Sequence, residues 1–277
     1  MPRGAPSRRG RTAGGAARGR GRGLGRAAGL LAPAVCCPLA ARQGPRAVAC
    51  APPAPTCRLE LMGLKDAGAY RRAARDVARP GQALFSGFNI PNKKKDEPLL
   101  EWAAALLERV PGADVNVHYS LKHQRRGDGA VEAFEHFCGR AASIGVGGVL
   151  LVTGPRGPPC DAVRVLERLG GRHPAPGAVR LGVAFNACLP SQGQRQRERE
   201  RLARKLGTGL VEEVWLNTGD DAELLSSGAE YARAAAAEAR AGRPVRLFGS
   251  VLLPNEAQLR QFRERPWNGV HFSEHYL

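Results

Sequence analysis

The runs Pro98-Leu-Leu-Glu-Trp-Ala-Ala-Ala-Leu-Leu-Glu-Arg-Val110 and Ala113-Asp-Val-Asn-Val-His-Tyr-Ser-Leu121 follow one another closely and decide the fold class. In the first run, apolar residues recur at the spacing of one helix face, at Leu99, Trp102, Ala103, Leu106 and Val110. The second run is short, apolar and rich in valine, as expected of a strand. A helix followed by such a strand is the repeating unit of an α/β protein with a parallel sheet.

The same alternation of strands and helices continues after Cys57 and gives eight predicted strands. Eight is the number at which inward side chains just fill a closed barrel. We therefore predict an α/β fold, a (β/α)8 TIM barrel, over residues 58–277. The predicted strands are Arg58–Leu64, Ala83–Ile90, Ala113–Leu121, Val146–Thr153, Val179–Phe185, Leu210–Asn217, Val245–Leu253 and Gly269–Ser273.

Two helix predictions and the end of the chain complete this architecture. Asp66–Ala78 is predicted to be the first helix, and Asp221 is predicted to cap a long Ala-rich helix that ends near Ala241. Because Leu277 follows the eighth strand so closely, the last helix of the barrel is expected to be missing or replaced. Either the gene model is truncated, or another chain or another element covers the gap.

Residues 1–57 form an Arg/Ala/Gly-rich leader that contains no acidic residue. The 11 arginines before Glu60 account for 11 of the formal charge of +17, which leaves +6 for the remainder of the chain. An arginine-rich, acid-free N-terminus is typical of organelle transit peptides, so we predict a disordered leader that directs the protein to a plastid or mitochondrion. The location would otherwise be cytoplasmic. The open alternatives are a disordered RNA-binding arm and a mistranslated upstream extension.

Several classes of function are disfavoured by composition. The apolar stretch from Ala27 to Ala41 is broken by two prolines and is shorter than the about 20 residues that span a bilayer, so no membrane partner is expected. Aromatic residues make up 5% of the chain and are absent from the leader, which leaves no platform for stacking bases, and no nucleic-acid partner is expected. The cysteines of the barrel region, Cys138, Cys160 and Cys188, lack metal-ligand spacing, so no metal site is predicted.

Five motifs follow one another in a fixed order along the predicted barrel. The first is Val117-His-Tyr-Ser-Leu-Lys-His-Gln-Arg-Arg126, and the other four are Val149-Leu-Leu-Val-Thr-Gly154, Leu181-Gly-Val-Ala-Phe185, Glu198-Arg-Glu-Arg-Leu-Ala-Arg-Lys-Leu-Gly-Thr-Gly209 and Val214-Trp-Leu-Asn217. Together they resemble motifs of the methylenetetrahydrofolate reductase family, whose third strand, Val-His-Leu-Thr-Cys, leads into a basic loop as the first motif does. The resemblance implies a flavoprotein oxidoreductase of one-carbon metabolism and methionine biosynthesis. Such an enzyme reduces 5,10-methylenetetrahydrofolate to 5-methyltetrahydrofolate with FAD, and NADH or NADPH recharges the flavin.

The resemblance also implies roles for individual residues. Glu60 lies where the family places its catalytic general acid; the alternative is an outward residue of an edge-like strand. His118 would face the flavin from the third strand, or would be a satisfied polar residue at the barrel mouth. Further cofactor contacts are implied for Gly154, Glu198, Arg204 and Lys205, although Ser191–Lys205 is also typical of a solvated helix face. Asn217 would replace the glutamine that binds the pterin of the substrate.

Departures from the family pattern keep a second hypothesis open. Pro155 follows Gly154 where the family has an aspartate that stabilises the charged folate intermediate, and Phe185 lacks the usual tyrosine hydroxyl. A catalytically impaired relative that binds flavin, folate or a protein partner without turnover is therefore the alternative. Binding of a phosphate-bearing substrate by the Gly154–Pro159 loop is disfavoured, because its prolines offer no N–H. A folate-type small molecule is the expected partner, and a homo-oligomer is possible.

Overall fold

In the computed structural model, strands and helices alternate along the chain, and the strands form a single parallel sheet. The structure describes residues 57–61, 64, 66–77, 85–123, 129–153, 161–170, 179–240, 243–252, 254–267 and 269–277. The strands are β1 (Arg58–Glu60), β2 (Gly87–Ile90), β3 (Asp114–Ser120), β4 (Gly148–Val152), β5 (Arg180–Phe185), β6 (Val211–Leu216) and β7 (Arg246–Gly249). The helices are α1 (Ala67–Val77), α2 (Leu99–Arg109), α3 (Gly129–Ser143), α4 (Ala162–Gly170), α5 (Gln192–Gly207), α6 (Ala222–Ala239) and α7 (Glu256–Glu264), and a short 3₁₀ turn spans Leu121–His123.

The sheet has the strand order β1-β2-β3-β4-β5-β6-β7, and every neighbouring pair is parallel. This confirms the predicted α/β fold and the positions of seven of the eight predicted strands. Parallel neighbours in sequential order require a crossover between each pair, which the helices provide. The predicted leader and the predicted Gly154–Pro159 loop lie outside the described residues.

Contacts between distant strands show that the sheet is curled. In a flat sheet, β3 and β7 would be about 19 Å apart, since neighbouring strands are separated by about 4.8 Å. Yet Arg246 Nη2 of β7 lies 3.3 Å from Asp114 Oδ2 of β3. The guanidinium carbon of Arg58, in β1, lies 5.6 Å from the ring centroid of Phe248, in β7. The seven strands therefore curl into part of a barrel, as in TIM-barrel enzymes.

The predicted eighth strand, Gly269–Ser273, does not form a regular strand. Within the described residues, its only pairing is one parallel bridge between His271 and Gly219, which follows β6. The segment is instead fixed by side chains, since Asn186 Nδ2 donates to Gly269 O at 2.6 Å and the Ser273 amide donates to Asp220 Oδ2 at 2.9 Å. The full eight-stranded barrel is therefore not shown.

The outer face of the sheet carries the hydrophobic core. Alternate residues of each strand point outward and pack against the helices: Phe88, Ile90, Val115, Val117, Tyr119, Val149, Leu151, Leu181, Val183, Phe185, Val214 and Leu216 are all buried. Each fully buried side chain of this kind contributes about 1.5–3 kcal/mol, so this interface is the main source of stability.

The predicted helix face and helix cap are both confirmed. Leu99, Trp102, Ala103 and Leu106 of α2 are buried. Asp221 caps α6, because its carboxylate accepts a hydrogen bond from the Leu224 amide at 2.9 Å. Helix α6 ends at Ala239, close to the predicted end.

Glycines on the inner face allow long side chains to reach across the barrel. A Cβ atom on Gly87 would collide with the backbone carbonyl of Asp114 and would lie 2.9 Å from Arg58 Nη1. A Cβ on Gly182 would lie 2.9 Å from Trp215 Nε1. Strands β2 and β5 therefore leave room for side chains from β1 and β6.

We expect Gly87→Ala to lower the free energy of unfolding by about 1–3 kcal/mol, because the added methyl group meets backbone that cannot rotate away. The matched control is Gly139→Ala on the exposed face of α3, where nothing lies within 4 Å of the new atom. That change should raise stability by up to about 1 kcal/mol. Urea denaturation of the full chain measures both, and equal effects of the two substitutions would contradict the close packing at Gly87.

Candidate functional site

A network of five charged side chains fills the inner face near the start of the strands. Arg58, Asp114, Arg180 and Arg246 are the first residues of β1, β3, β5 and β7. Asp114 pairs with Arg58 at 2.6 Å and with Arg180, and Glu213 of β6 accepts from Arg180 Nε at 2.7 Å and from Arg246 Nη1 at 3.0 Å. The side chain of Glu213 is 1% exposed. The network therefore fills the amino end of the curled sheet, and the residues discussed next lie toward its carboxyl end.

The pKa values follow from this crowding of opposite charges. Burial alone would raise the pKa of Asp114, but the guanidinium groups of Arg58 and Arg180 outweigh it and lower that pKa. Burial lowers the pKa of Arg58, against the opposing effect of Asp114. Three guanidinium groups face two carboxylates, so the inner face carries a net positive charge.

Glu213 also orients the layer of side chains above the network. Its Oε2 atom accepts a hydrogen bond from Trp215 Nε1 at 3.1 Å and from Asn116 Nδ2 at 3.2 Å. The Trp215 ring stacks on Phe248 with centroids 4.2 Å apart. Because the Asn116 amide nitrogen is held by Glu213, its Oδ1 atom points elsewhere, and within the described residues this buried atom has no donor.

His118 lies two residues after Asn116 on the same inner face of β3. Its Nε2 atom is buried and has no hydrogen-bond partner in the described part of the chain. The ring meets Trp215 edge-on, with centroids 6.5 Å apart. Burial, followed by the positive charges of Lys93 and Arg58, lowers the pKa of His118 to about 3. The imidazole is therefore neutral at pH 7, with one nitrogen available to a ligand.

Glu60 occupies the carboxyl end of β1, where it pairs in register with Asn89. Its side chain remains accessible to water, although the surrounding protein partly desolvates the carboxyl group and so raises the pKa of Glu60. The positive charge of Lys93 opposes that increase. Lys93 follows β2, the strand between those of Glu60 and His118, so its loop lies at the same end of the sheet.

Asn217 also lies at this end, directly after β6. Its backbone amide donates to Phe185 O at 2.9 Å, which continues the ladder beyond the strand, and its side chain is half-buried. Three residues predicted from the sequence, Glu60, His118 and Asn217, thus belong to the carboxyl end of the sheet.

The predicted cofactor contacts on α5 are engaged in contacts within the protein. Lys205 is buried between α5 and the sheet, where its Nζ atom donates to Ala184 O at 2.9 Å. Burial lowers the pKa of Lys205, and Glu198 opposes this. Glu198 itself contacts Arg201 at 3.5 Å, and Arg201 binds both oxygens of Asp161 at 2.9 Å.

Arg204 faces away from Lys205 and pairs on the surface with Glu167 of α4 at 2.8 Å. It therefore does not share the inner face with His118. Gly154 and Pro155 lie outside the described residues. The roles of these positions toward a cofactor stay predictions.

Sequence analysis did not find the inner charge network, Asn116, Trp215 or Lys93. A signal was present, because a charged residue begins every second strand of the sheet. Local periodicity assigns such residues to strand ends and does not reveal that four strands bring them together.

No family model and no curated protein matches the sequence. One similar solved structure is a mandelate racemase/muconate lactonizing enzyme from Roseiflexus sp., at 14% identity and a TM-score of 0.43, covering 71% of this chain and 48% of that chain. Another is an HpcH/Hpal aldolase/citrate lyase family protein from Burkholderia cenocepacia J2315, at 14% identity and a TM-score of 0.43, covering 80% of this chain and 89% of that chain. Structural similarity at this level does not identify a function. The resemblance to methylenetetrahydrofolate reductases stays a prediction.

The described residues contain neither a metal-ligand group nor a membrane-spanning helix. No group of three or more His, Cys, Asp or Glu side chains there is arranged to hold a metal ion. None of the helices within those ranges combines the length and the apolar composition needed to cross a membrane.

The lowered pKa of His118 predicts a specific dependence of stability on pH. The unfolded chain takes up a proton near the ordinary value of 6.5, whereas the folded chain does so only near 3. The stabilising contribution is therefore complete above pH 6.5 and is lost as the pH falls toward 3. Urea midpoints at pH 7.5 and pH 5 should differ less in His118→Asn than in the parent chain. The control His136→Asn removes an exposed histidine on α3, and an unchanged pH difference in His118→Asn would contradict the burial of this imidazole.

Proposed function

We propose that the carboxyl end of the sheet binds a planar, nitrogen-containing ligand and that Glu60 transfers a proton there. The observation that carries this proposal is the buried Nε2 atom of the neutral His118, which has no partner among the described residues and lies toward the same end of the sheet as Glu60. The specific reaction proposed is the one the resemblance implies, flavin-dependent reduction of 5,10-methylenetetrahydrofolate to 5-methyltetrahydrofolate with NADH or NADPH. A complete eight-stranded barrel remains part of this proposal.

The inner-face residues fit the ring of a flavin or pterin. Such rings carry both hydrogen-bond donors and acceptors, and two buried atoms, Asn116 Oδ1 and His118 Nε2, have no partner among the described residues. Unpaired buried polar atoms cost about 1–3 kcal/mol each, so a ligand that pairs with them would recover that energy. A bound flavin would supply hydride transfer, which no side chain of this protein can perform.

The chain's own residues would handle protons and orientation. The raised pKa of Glu60 keeps more of its carboxyl group protonated near neutral pH, as a general acid toward a ligand nitrogen requires. His118 stays neutral and can orient the ligand without adding charge. Trp215 is fixed by Glu213 and Phe248 and forms a rigid wall of the site.

A second candidate function is ligand binding without turnover. Pro155 replaces the family's aspartate, which removes a carboxylate expected to stabilise positive charge on the folate. Such electrostatic contributions commonly amount to several kcal/mol, so their loss can abolish the reaction while binding persists.

The test begins with the full chain incubated with FAD and desalted, after which an absorption spectrum measures the retained flavin. We expect flavin to be retained, to be bleached by NADH or NADPH, and to be reoxidised by 5,10-methylenetetrahydrofolate. Glu60→Gln should retain flavin and lose the folate step by roughly 10²–10⁴-fold. The control is Glu108→Gln, which removes an exposed carboxylate that pairs with Arg71 on the outside of the fold.

The possible outcomes separate the two candidates. A chain that retains no flavin is not a flavin-dependent reductase. Retained flavin with no folate reduction by the parent chain would favour the binding function. Equal activities of Glu60→Gln and the parent would remove Glu60 from the mechanism.

A further inference from the structure

The proposed ligands are anions, but the basic residues implied to bind them are occupied. FAD carries phosphates and folates carry carboxylates. In the structure, Arg204 pairs with Glu167 on the surface, and Lys205 is buried with its Nζ atom on Ala184 O. The Arg204 guanidinium is therefore held on the surface, and the Lys205 ammonium is already bonded to a backbone carbonyl of β5. A further cation at the carboxyl end of the sheet would add to the binding of a ligand's negative charge there.

The loop between β2 and α2 places three consecutive lysines beside that end. Lys93, Lys94 and Lys95 are all exposed. Asn92 ties the loop to β3, because its Oδ1 atom accepts from the Ser120 amide at 3.2 Å and its Nδ2 atom donates to Lys94 O at 2.9 Å. The loop position is thus set by the sheet.

Glu97 binds the backbone of this loop and not the lysine side chain. Its Oε2 atom accepts from the Lys93 amide at 2.6 Å and from Asn92 Nδ2 at 3.0 Å. Within the described ranges, no carboxylate forms an ion pair with the Lys93 ammonium. Lys93 therefore has a fixed backbone and a charge that is available for binding.

An aromatic ring contacts the ammonium group of Lys93. Its Nζ atom lies 5.8 Å from the ring centroid of Trp267, close enough for a cation–π interaction. Lys93 follows β2, which lies between the strands that carry Glu60 and His118, and its charge acts on both groups. The positive charges that act on His118 are those of Lys93 and Arg58, and they favour an anion over a cation in this region.

We propose that Lys93 binds an oxyanion, a phosphate or carboxylate group, of the small-molecule ligand. This inference rests on the proposed location of the ligand at the carboxyl end of the sheet. Lys93 is the specificity-determining residue, and Trp267 positions its ammonium group. A lysine ammonium is a compact point charge without the planar fork of arginine, so both kinds of oxyanion fit it.

The test measures thermal unfolding of the full chain in phosphate and in chloride at equal ionic strength, with succinate as a third arm. Phosphate should raise the midpoint of the parent chain by about 2–4 °C beyond chloride, because it binds the folded state only. Lys93→Gln should lose this rise, and its apparent affinity for phosphate should fall roughly tenfold. Lys93→Arg should restore the rise, and Lys95→Gln, in the same loop, should retain it.

Comparing the unfolding midpoints in phosphate and in chloride for the same variant separates anion binding from any effect of the substitution on folding. Phosphate also stabilises proteins by exclusion from their surface, and this general effect appears equally in all variants. A rise with phosphate alone would indicate a phosphorylated ligand, and a rise with succinate as well would indicate that carboxylates suffice. An equal rise in the parent and in Lys93→Gln, or no rise in either, would overturn the proposal.

Measuring flavin retention in the same variants distinguishes rejection of Lys93 as the oxyanion residue from rejection of the proposed reductase function. A Lys93-dependent rise in a chain that retains no flavin would support the oxyanion site and reject the reductase. A chain that retains and turns over flavin, with the same phosphate response in Lys93→Gln, would support the reductase and reject Lys93 as the oxyanion residue.

Discussion

Glu213 is the group around which the inside of the sheet is arranged. Its carboxylate accepts hydrogen bonds from Arg180, Arg246, Asn116 and Trp215, which belong to four different strands. A carboxylate this deeply buried is costly to remove from water unless several donors satisfy both of its oxygens. The donors can converge only if the sheet curls, so the curl and the pairing of Glu213 depend on one another.

The candidate site follows from this arrangement. Charged side chains fill the amino end of the strands, and the proposed ligand site is at the carboxyl end, as is usual in parallel α/β folds. Glu213 fixes the Asn116 amide and the Trp215 ring, and His118 packs beside them with an Nε2 atom that has no partner among the described residues. Within the described part of the chain, the paired charges are therefore at one end of the strands and the unpaired polar atoms lie further toward the other.

The sequence predicted the seven strands, α1, α2 and the Asp221 cap well because these features are local. The apolar pattern repeats every two residues in a strand and every 3.6 residues in a helix. These repeats, and the capping side chains and breaks that end them, are visible within a few residues of sequence. The eighth strand was predicted from a similar local pattern, but the segment around His271 bridges to Gly219 and is held by Asn186 and Asp220. Strand formation there depends on a pairing partner, which the sequence of the segment does not specify.

The candidate site was predicted only in part, for the same reason. The family resemblance singled out Glu60, His118 and Asn217, and the structure places each of them on or directly after a strand. The partners that give them chemical character, Glu213, Trp215 and Lys93, are distant in sequence. The resemblance assigned Glu198, Arg204 and Lys205 to a cofactor, but the sequence does not reveal that Lys205 packs against β5 or that Arg204 pairs with Glu167.

The measurement that tests the curled sheet most directly is a double-mutant cycle on Asp114 and Arg246, which lie four strands apart in sheet order. Free energies of urea unfolding would be compared for the parent chain, Asp114→Asn, Arg246→Gln and the double variant. Side chains in contact through one ionic network should show a coupling energy of at least about 0.5 kcal/mol. Additive effects are expected for residues about 19 Å apart in a flat sheet. Additivity would therefore contradict the curl on which the site depends.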